Sequence, residues 1–352
     1  MLLEVDDGPP RSPRHFKDLV RLIPILLACK RVANRIDVHS HFLPPEYLAA
    51  LRNAGVRDAD GYPLPQWTVE SSLAAMDQNG IGAAVLSVSS PALGFVDGDA
   101  ARELARSANE SARALITAHP DRFGAFALLP LPDVDASLRE IAHALDTLGL
   151  DGVGFLTNYA GAYLGDRRFA PLFDELQRRK AVVFIHPTQP PGFARLSLGL
   201  PAPVLEYPFD STRAINSLIL SGTLSRCPDV RFIVSHGGGT IPYLAPRFAP
   251  FMAAKPGEPP DLLGPGSKEI MEMLRRLYFD LTASTHHGAL SAMLQLMPAS
   301  QLLLGFDFPF MPPATIAPVI ASLESFEGLS SDDQQAIASG NARRLLPKVG
   351  AR

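Results

Sequence analysis

Eight parallel strands closed into a (β/α)8 barrel of the TIM type is the architecture this sequence predicts. Three observations predict it. Eight short apolar runs rich in Val, Ile and Phe punctuate the chain. Most are near-continuous rather than alternating, as strands covered on both faces are. Amphipathic helical stretches lie between them, the order expected of an α/β fold. The chain has 352 residues, 47% of them apolar and 19% charged. That supports one large core, and barrels of this kind run to ~250 residues or more as one unit.

The elements follow in order. Residues 1–34 precede the first run and read as an N-terminal arm. Within it "LVRLIPILLAC" (19–29) hints at a secretory or lipoprotein signal, but Pro24 interrupts it and Lys30-Arg31 follow at once. It is too short to span a bilayer. An extra arm or an over-extended start is the reading adopted, with one barrel domain over 35–347. The predicted strands are 35–41, 83–90, 123–130, 152–157, 181–187, 230–236, 277–283 and 302–309. A helix over 68–80 opens on a Thr68 cap with Ser71 at its third position, and Gly80 closes it. Helix 98–119 keeps Leu104, Ala108, Ala112, Leu115 and Ile116 on one face. Helix 135–149 starts on Asp and ends on Gly. Helices 168–180 and 210–227 follow. The proline-rich segment 188–209 and the Pro/Gly-rich 253–266 read as long loops at strand C-termini, where a barrel carries its active-site rim. Asn341 reads as the cap of a terminal helix.

Charge and cysteine content exclude several classes. The formal net charge is −4 and Lys and Arg form no block, which argues against nucleic acid and membrane surfaces as partners. Cys29 and Cys227 make no disulfide framework. A reducing, cytoplasmic setting is expected.

Polar residues gather where a barrel places its chemistry. Strand 1 ends in His39-Ser40-His41, strand 5 in His186, strand 6 in His236 and strand 8 in Asp307. Residues i and i+2 share a strand face, so both imidazoles of strand 1 can point to one spot. Strand C-termini meet at the barrel mouth, so all five side chains can converge. Imidazole with carboxylate suits a borderline divalent metal that keeps a position open for water or substrate. A lone strand-end His is usually a hydrogen-bonded structural residue, and a lone Asp is usually a turn or cap. The joint pattern at the ends of different strands favours a metal. His15, His119 and His143 do not fit it, and His286 and His287 read as solvated loop residues.

Five stretches carry a family resemblance: "IDVHSHFLPP", "FIHPT" (184–188), "SHGGGTIPYLAPR" (235–247), "GFDFPF" (305–310) and "GNARRLL" (340–346). The chain resembles the amidohydrolase superfamily, in the branch of aminocarboxymuconate-semialdehyde decarboxylase. "PQWTVESSLAAMDQNGI" (65–81), "LTNYAGAYLGD" (156–166) and "EYPFDSTRAINSLILSG" (206–222) look closest to the 6-methylsalicylate decarboxylases. The resemblance implies one divalent ion, zinc first and manganese as the alternative, held by His39, His41, His186 and Asp307. It implies that His236 stands behind the ligands or handles protons. Arg247 matches an arginine that reaches a neighbouring subunit's site in the semialdehyde decarboxylase, which implies a homodimer.

Departures from the family narrow the substrate. "DGYPLPQW" (60–67) lacks the substrate-binding arginine that the semialdehyde decarboxylase has before its Trp, which favours a monocarboxylic aromatic acid. Gly239 stands where resorcylate-type enzymes have Glu, and "GFLTN" lacks the lysine that bridges two metals in many superfamily hydrolases. The implied activity is nonoxidative decarboxylation of a hydroxyaromatic acid such as 6-methylsalicylate, with Asp307 and His236 as catalytic groups. The alternative is a hydrolase of a lactone, ester or amide on the same ligands. Trp67, Asn158 and Phe308, with Phe306 and Phe310, are the expected substrate neighbours. Gly237–Gly239 leave backbone room there or make a tight turn. Asp210 and Arg213 read as a structural pair.

Overall fold

The computed structural model describes residues 34–351 apart from 255, 256, 258, 261 and 263. Apart from Asn34, the expected N-terminal arm, with its signal-like stretch, His15 and Cys29, lies outside the described residues. Eight strands form one sheet: β1 (Arg35–His41), β2 (Ile81–Ser87), β3 (Phe123–Ala127), β4 (Gly152–Leu156), β5 (Val182–His186), β6 (Arg231–Val234), β7 (Tyr278–Asp280) and β8 (Leu302–Leu303). They neighbour one another in chain order and every pair is parallel. The sheet curls until its edges nearly close. Val38 N–H donates to Leu304 O at 2.9 Å, and Asp307 N–H to His39 O and His41 N–H to Phe308 O at 2.7 Å. The seam between first and last strands is therefore where His39, His41 and Asp307 meet.

Burial explains the near-continuous apolar runs. All seven residues of β1 and all five of β3 and β5 are buried, because helices cover the outside and neighbouring strands the inside. A cluster of Val38, Val85, Phe126, Phe184, Ile233 and Leu303 draws from most of the strands. It lies against the histidines, with the Phe184 ring 5.0 Å from that of His39. A larger apolar layer joins the sheet to its helices.

Seven strands, all but β1, end earlier than predicted, and two of these endings shape the site. β8 pairs with β7 only over Leu302–Leu303, and the chain packs closely at Gly305. A Cβ there would stand 2.6 Å from Thr282 Oγ1 and 2.8 Å from His39 Cβ. β6 stops at Val234. Asp307 and His236 consequently lie in turns beyond their strands, both in left-handed conformation, with φ of 58° and 54°. Such φ values are uncommon outside glycine and cluster at functional sites.

The helices of nine residues or more are α1 (Pro45–Asn53), α2 (Val69–Gln78), α3 (Gly98–Ala118), α4 (Val134–Ala142), α5 (Ala170–Arg179), α6 (Ala202–Leu220), α7 (Ile241–Ala253), α8 (Pro265–Arg275), α9 (His287–Leu296) and α10 (Ile316–Glu324), and a short terminal helix covers Asn341–Leu345. Thr68 and Ser71 close a capping box on α2, as predicted. The cap of α4 is Asp133, not Asp135; its side chain accepts from Ala136 N–H. α6 begins eight residues before the expected 210, inside the segment read as loop. Asn341 does not cap. Its amide donates to Ala299 O at 2.9 Å and Leu302 O at 2.7 Å, tying the terminal helix to β8.

Candidate metal centre and substrate pocket

The five side chains converge. His39 and His41 face each other Nε2 to Nε2 at 3.1 Å. Asp307 Oδ1 is 3.0 Å from His41 Nε2 and 3.6 Å from His39 Nε2, and Asp307 Oδ2 is 3.5 Å from His236 Nε2. The His186 ring lies 4.9 to 5.4 Å from the other three imidazoles. One donor atom each from His39, His186, His236 and Asp307 falls within 4.8 Å of all the others. His41 completes the ring of groups at the seam.

Each imidazole is turned the same way. His39 Nδ1 meets Asp280 Oδ2 at 3.0 Å and Thr282 Oγ1 at 3.1 Å. His41 Nδ1 meets Ser87 Oγ at 3.0 Å, His186 Nδ1 meets Pro187 O at 2.7 Å, and His236 Nδ1 meets Ser235 Oγ at 3.0 Å. With the outer nitrogen occupied, the inner Nε2 of each ring is the one presented to the centre. That is the orientation metal-bound histidines take, their outer N–H fixed by a carboxylate, carbonyl or hydroxyl.

The centre attracts positive charge. Burial, the largest influence on His39, opposes its protonation, yet Asp280 and Asp307 overcome it and hold this imidazole up at about 9. Burial also pushes Asp307 up, but the His39 charge and hydrogen bonds from His236 and His41 keep its carboxyl well below the usual range. His41 and His186 are driven down by burial, His186 well below its usual value with neighbouring imidazoles adding to the effect. Neutral imidazoles with inward lone pairs beside a carboxylate are a donor set for a divalent cation. One atom supports that fit. His186 Nε2 is buried without a hydrogen-bond partner, a cost that native folds seldom leave uncompensated.

Asp280, which the sequence reading did not single out, organises the centre from behind. Besides orienting His39 it accepts from His236 N–H at 3.1 Å and Thr282 N–H at 3.0 Å through Oδ1. Its signal was an acid at the end of a buried strand, in "LYFDLTA". The glycines after His236 serve packing. A Cβ at Gly238 would stand 2.5 Å from the Phe279 ring, and one at Gly239 2.1 Å from Pro208 O.

A cavity of about 60 Å³ opens beside His186 and Asp307. Ala59, Tyr62, Pro203, Tyr207, Phe310 and Met311 wall it, and among the described residues no arginine or lysine lines it. The Phe310 ring is 5.5 Å from His41 and the Tyr207 ring 5.7 Å from His186. Trp67, Asn158 and Phe308, expected beside the substrate, do not line this cavity. Asn158 gives its amide to Asp210 Oδ2 at 3.0 Å and Gln189 O at 3.2 Å, and lines a different cavity of about 660 Å³. Trp67 packs on Phe42. Phe308 is buried at the seam, and Arg247 is exposed on α7. Of the phenylalanines of "GFDFPF", Phe310 reaches the pocket. Asp210 lies 3.8 Å from Arg213, as the structural reading expected.

A parallel barrel with histidines and an aspartate gathered at its seam defines a class of metal-dependent barrel enzymes. Residues 36–348 match the amidohydrolase family, and the chain belongs to that family. It is 39% identical to the 6-methylsalicylic acid decarboxylase of Penicillium expansum over 319 residues, 90% of this chain and 97% of the relative. It is 40% identical to decarboxylase yanB of Aspergillus niger over 330 residues, 90% of this chain and 88% of the relative. A solved structure of an amidohydrolase II superposes with a TM-score of 0.81 at 29% identity, over 89% of this chain and 99% of that one.

Proposed function

We propose that the chain is a metal-dependent carboxy-lyase that removes CO2 from a hydroxyaromatic monocarboxylic acid of the 6-methylsalicylate kind. The observation that carries this reading is the pairing of the inward-facing His/Asp cluster with an aromatic-walled cavity that no arginine or lysine lines among the described residues. A second carboxylate on the substrate would find no partner there, whereas a ring with small apolar substituents would meet Tyr62, Tyr207 and Phe310. The decarboxylase relatives support the reaction class.

His39, His186 and Asp307 would hold the ion, with His41 or His236 as the further donor; the sequence reading gave that place to His41. Zinc suits this nitrogen-rich set, and manganese is the alternative. When bound, the ion supplies positive charge that fixes the substrate carboxylate or the adjacent phenol oxygen. The protein's own groups manage the proton. Decarboxylation breaks the bond between ring and carboxyl carbon, adds a proton to the ring carbon and releases CO2. Asp307 lies at the pocket floor and is the group placed to deliver that proton. At rest its carboxyl is ionised, so the proton must be collected first, and with His41 as the further donor His236 Nε2, 3.5 Å away, is the neighbour that can hold it. The tight walls exclude water and hold the ring so that its carboxylate can leave the ring plane.

We also propose a homodimer through α6 and α7. Tyr243 and Phe251 on α7 are 81% and 64% exposed, Val204 and Phe209 on α6 are exposed too, and Arg247 lies on the same face region. The two helices adjoin at Thr212 and Thr240, whose hydroxyls are 2.7 Å apart. Sedimentation of Tyr243→Glu protein at half the wild-type mass supports it; an unchanged mass removes it.

The activity test uses protein loaded with zinc or manganese and a panel of hydroxybenzoates in D2O. The expected result is CO2 release with one deuterium on the ring carbon that bore the carboxylate. No CO2 from any member, with turnover of lactones or esters instead, would replace the lyase by a hydrolase.

A further inference from the structure

Asp60 stands at the turn of a short hairpin, Asp58–Ala59 with Tyr62–Pro63, with φ of 54°. Its Oδ2 gathers donors from three other segments. Ser90 Oγ is at 2.7 Å, Gln189 N–H at 2.8 Å, Tyr207 Oη at 2.9 Å and Thr188 Oγ1 at 3.1 Å. Its carbonyl accepts from Ala202 N–H at 3.0 Å, at the first residue of α6. One side chain thus joins the ends of β2 and β5 to the start of α6.

The chemistry of that junction dictates what Tyr207 does. The Tyr207 hydroxyl donates to Asp60 Oδ2 and so spends its single proton there. The phenol end is anchored, and the ring is held 5.7 Å from His186 and 6.3 Å from His236, where it walls the cavity with Ala59 and Tyr62. Asp60 itself does not line that cavity. α6 is fixed again within one turn, where Asp210 accepts from Tyr163 Oη at 2.5 Å and Asn158 Nδ2 at 3.0 Å. On its other side Pro208 O leaves no room for a Cβ at Gly239, against the His236 turn.

We infer that Asp60 is a positioning residue: it fixes the Tyr207 ring as a wall of the substrate pocket and thereby sets which ring substituents are accepted. The substrate half of this inference rests on the decarboxylase reading; the placement of the ring does not.

The test compares Asp60→Ala, Asp60→Asn, Tyr207→Phe and the Asp60→Ala/Tyr207→Phe double variant as metal-loaded protein. Crystal structures locate the residue 207 ring, and kcat and KM are read with the best hydroxybenzoate. The ring leaves its place in Asp60→Ala. KM rises about five- to twentyfold in Tyr207→Phe and Asp60→Ala with kcat within about threefold, and the double variant is no worse than Asp60→Ala, since the two act through one contact. Asp60→Asn, which keeps an acceptor, restores KM to within about threefold of wild type. A ring that stays in place in Asp60→Ala, or single-variant losses that multiply in the double, overturns the inference. Should Asp60→Ala fail to fold, an unchanged KM in Tyr207→Phe overturns it, and a raised KM there with Asn rescue at position 60 supports it. If wild-type protein decarboxylates nothing, the proposed function falls, and the ring position alone still decides for or against Asp60.

Discussion

Asp280 has no place in the pocket and yet fixes two groups of the metal centre. Its two oxygens take His39 Nδ1 and His236 N–H from opposite sides. Asp280→Asn puts an amide where the imidazole needs an acceptor, so metal affinity is expected to fall about 10- to 100-fold. Competition against a metal-sensitive chelating dye measures it, and an affinity equal to wild type would remove Asp280 from the centre. Gly238 makes a second residue-scale prediction. Its φ is 73° and a Cβ would strike the Phe279 ring at 2.5 Å, so Gly238→Ala should lose roughly 2–4 kcal/mol in urea unfolding. The five convergent residues were legible in the sequence because strand ends in a barrel share one mouth, whatever their separation along the chain. Asp280, Asp60 and Tyr207 were not singled out. Each acts through partners on other segments, and nothing local distinguishes Asp60 in "DADGYP" from a turn aspartate.

At the scale of elements, proline misled the reading of α6. Pro201 and Pro203 suggested a loop, but Pro is well tolerated in a helix's first turn, where its missing N–H costs nothing. The segment became helical because Ala202 N–H finds Asp60 O, a contact invisible to local pattern. The last strand was over-extended for a related reason: "LLLGFDFP" has the composition of a strand throughout, while Asp307 takes a left-handed φ of 58° that a strand does not continue through. By contrast α2 was read to its cap, since a Thr–Ser capping box is a local signal. The link between terminal helix and β8 gives the prediction at this scale. Asn341→Ala leaves the buried carbonyls of Ala299 and Leu302 without this donor, and should cost about 1–3 kcal/mol. A denaturant midpoint equal to wild type would show that Asn341 is not the tie.

For the whole molecule, fold and chemistry share one seam. The barrel closes through three backbone hydrogen bonds between the first strand and the 304–308 segment, and the same two stretches supply His39, His41 and Asp307. A divalent ion held across the seam would stabilise only the closed barrel. At a free concentration 100-fold above its dissociation constant it would add about 2.7 kcal/mol. Chelation should therefore lower the melting temperature by several degrees, and restoring zinc or manganese should recover it. A melting temperature indifferent to chelator would separate seam from site. The barrel itself was legible from the order of the buried runs. Which backbone groups close it was not, because those hydrogen bonds join segments from the two ends of the domain. The most direct measurement is elemental analysis of purified wild-type, His186→Ala and Asp307→Asn proteins. One divalent ion per wild-type chain, falling below about a tenth in both variants, is the predicted result; full metal content in both variants, or none in wild type grown with zinc and manganese, would contradict it.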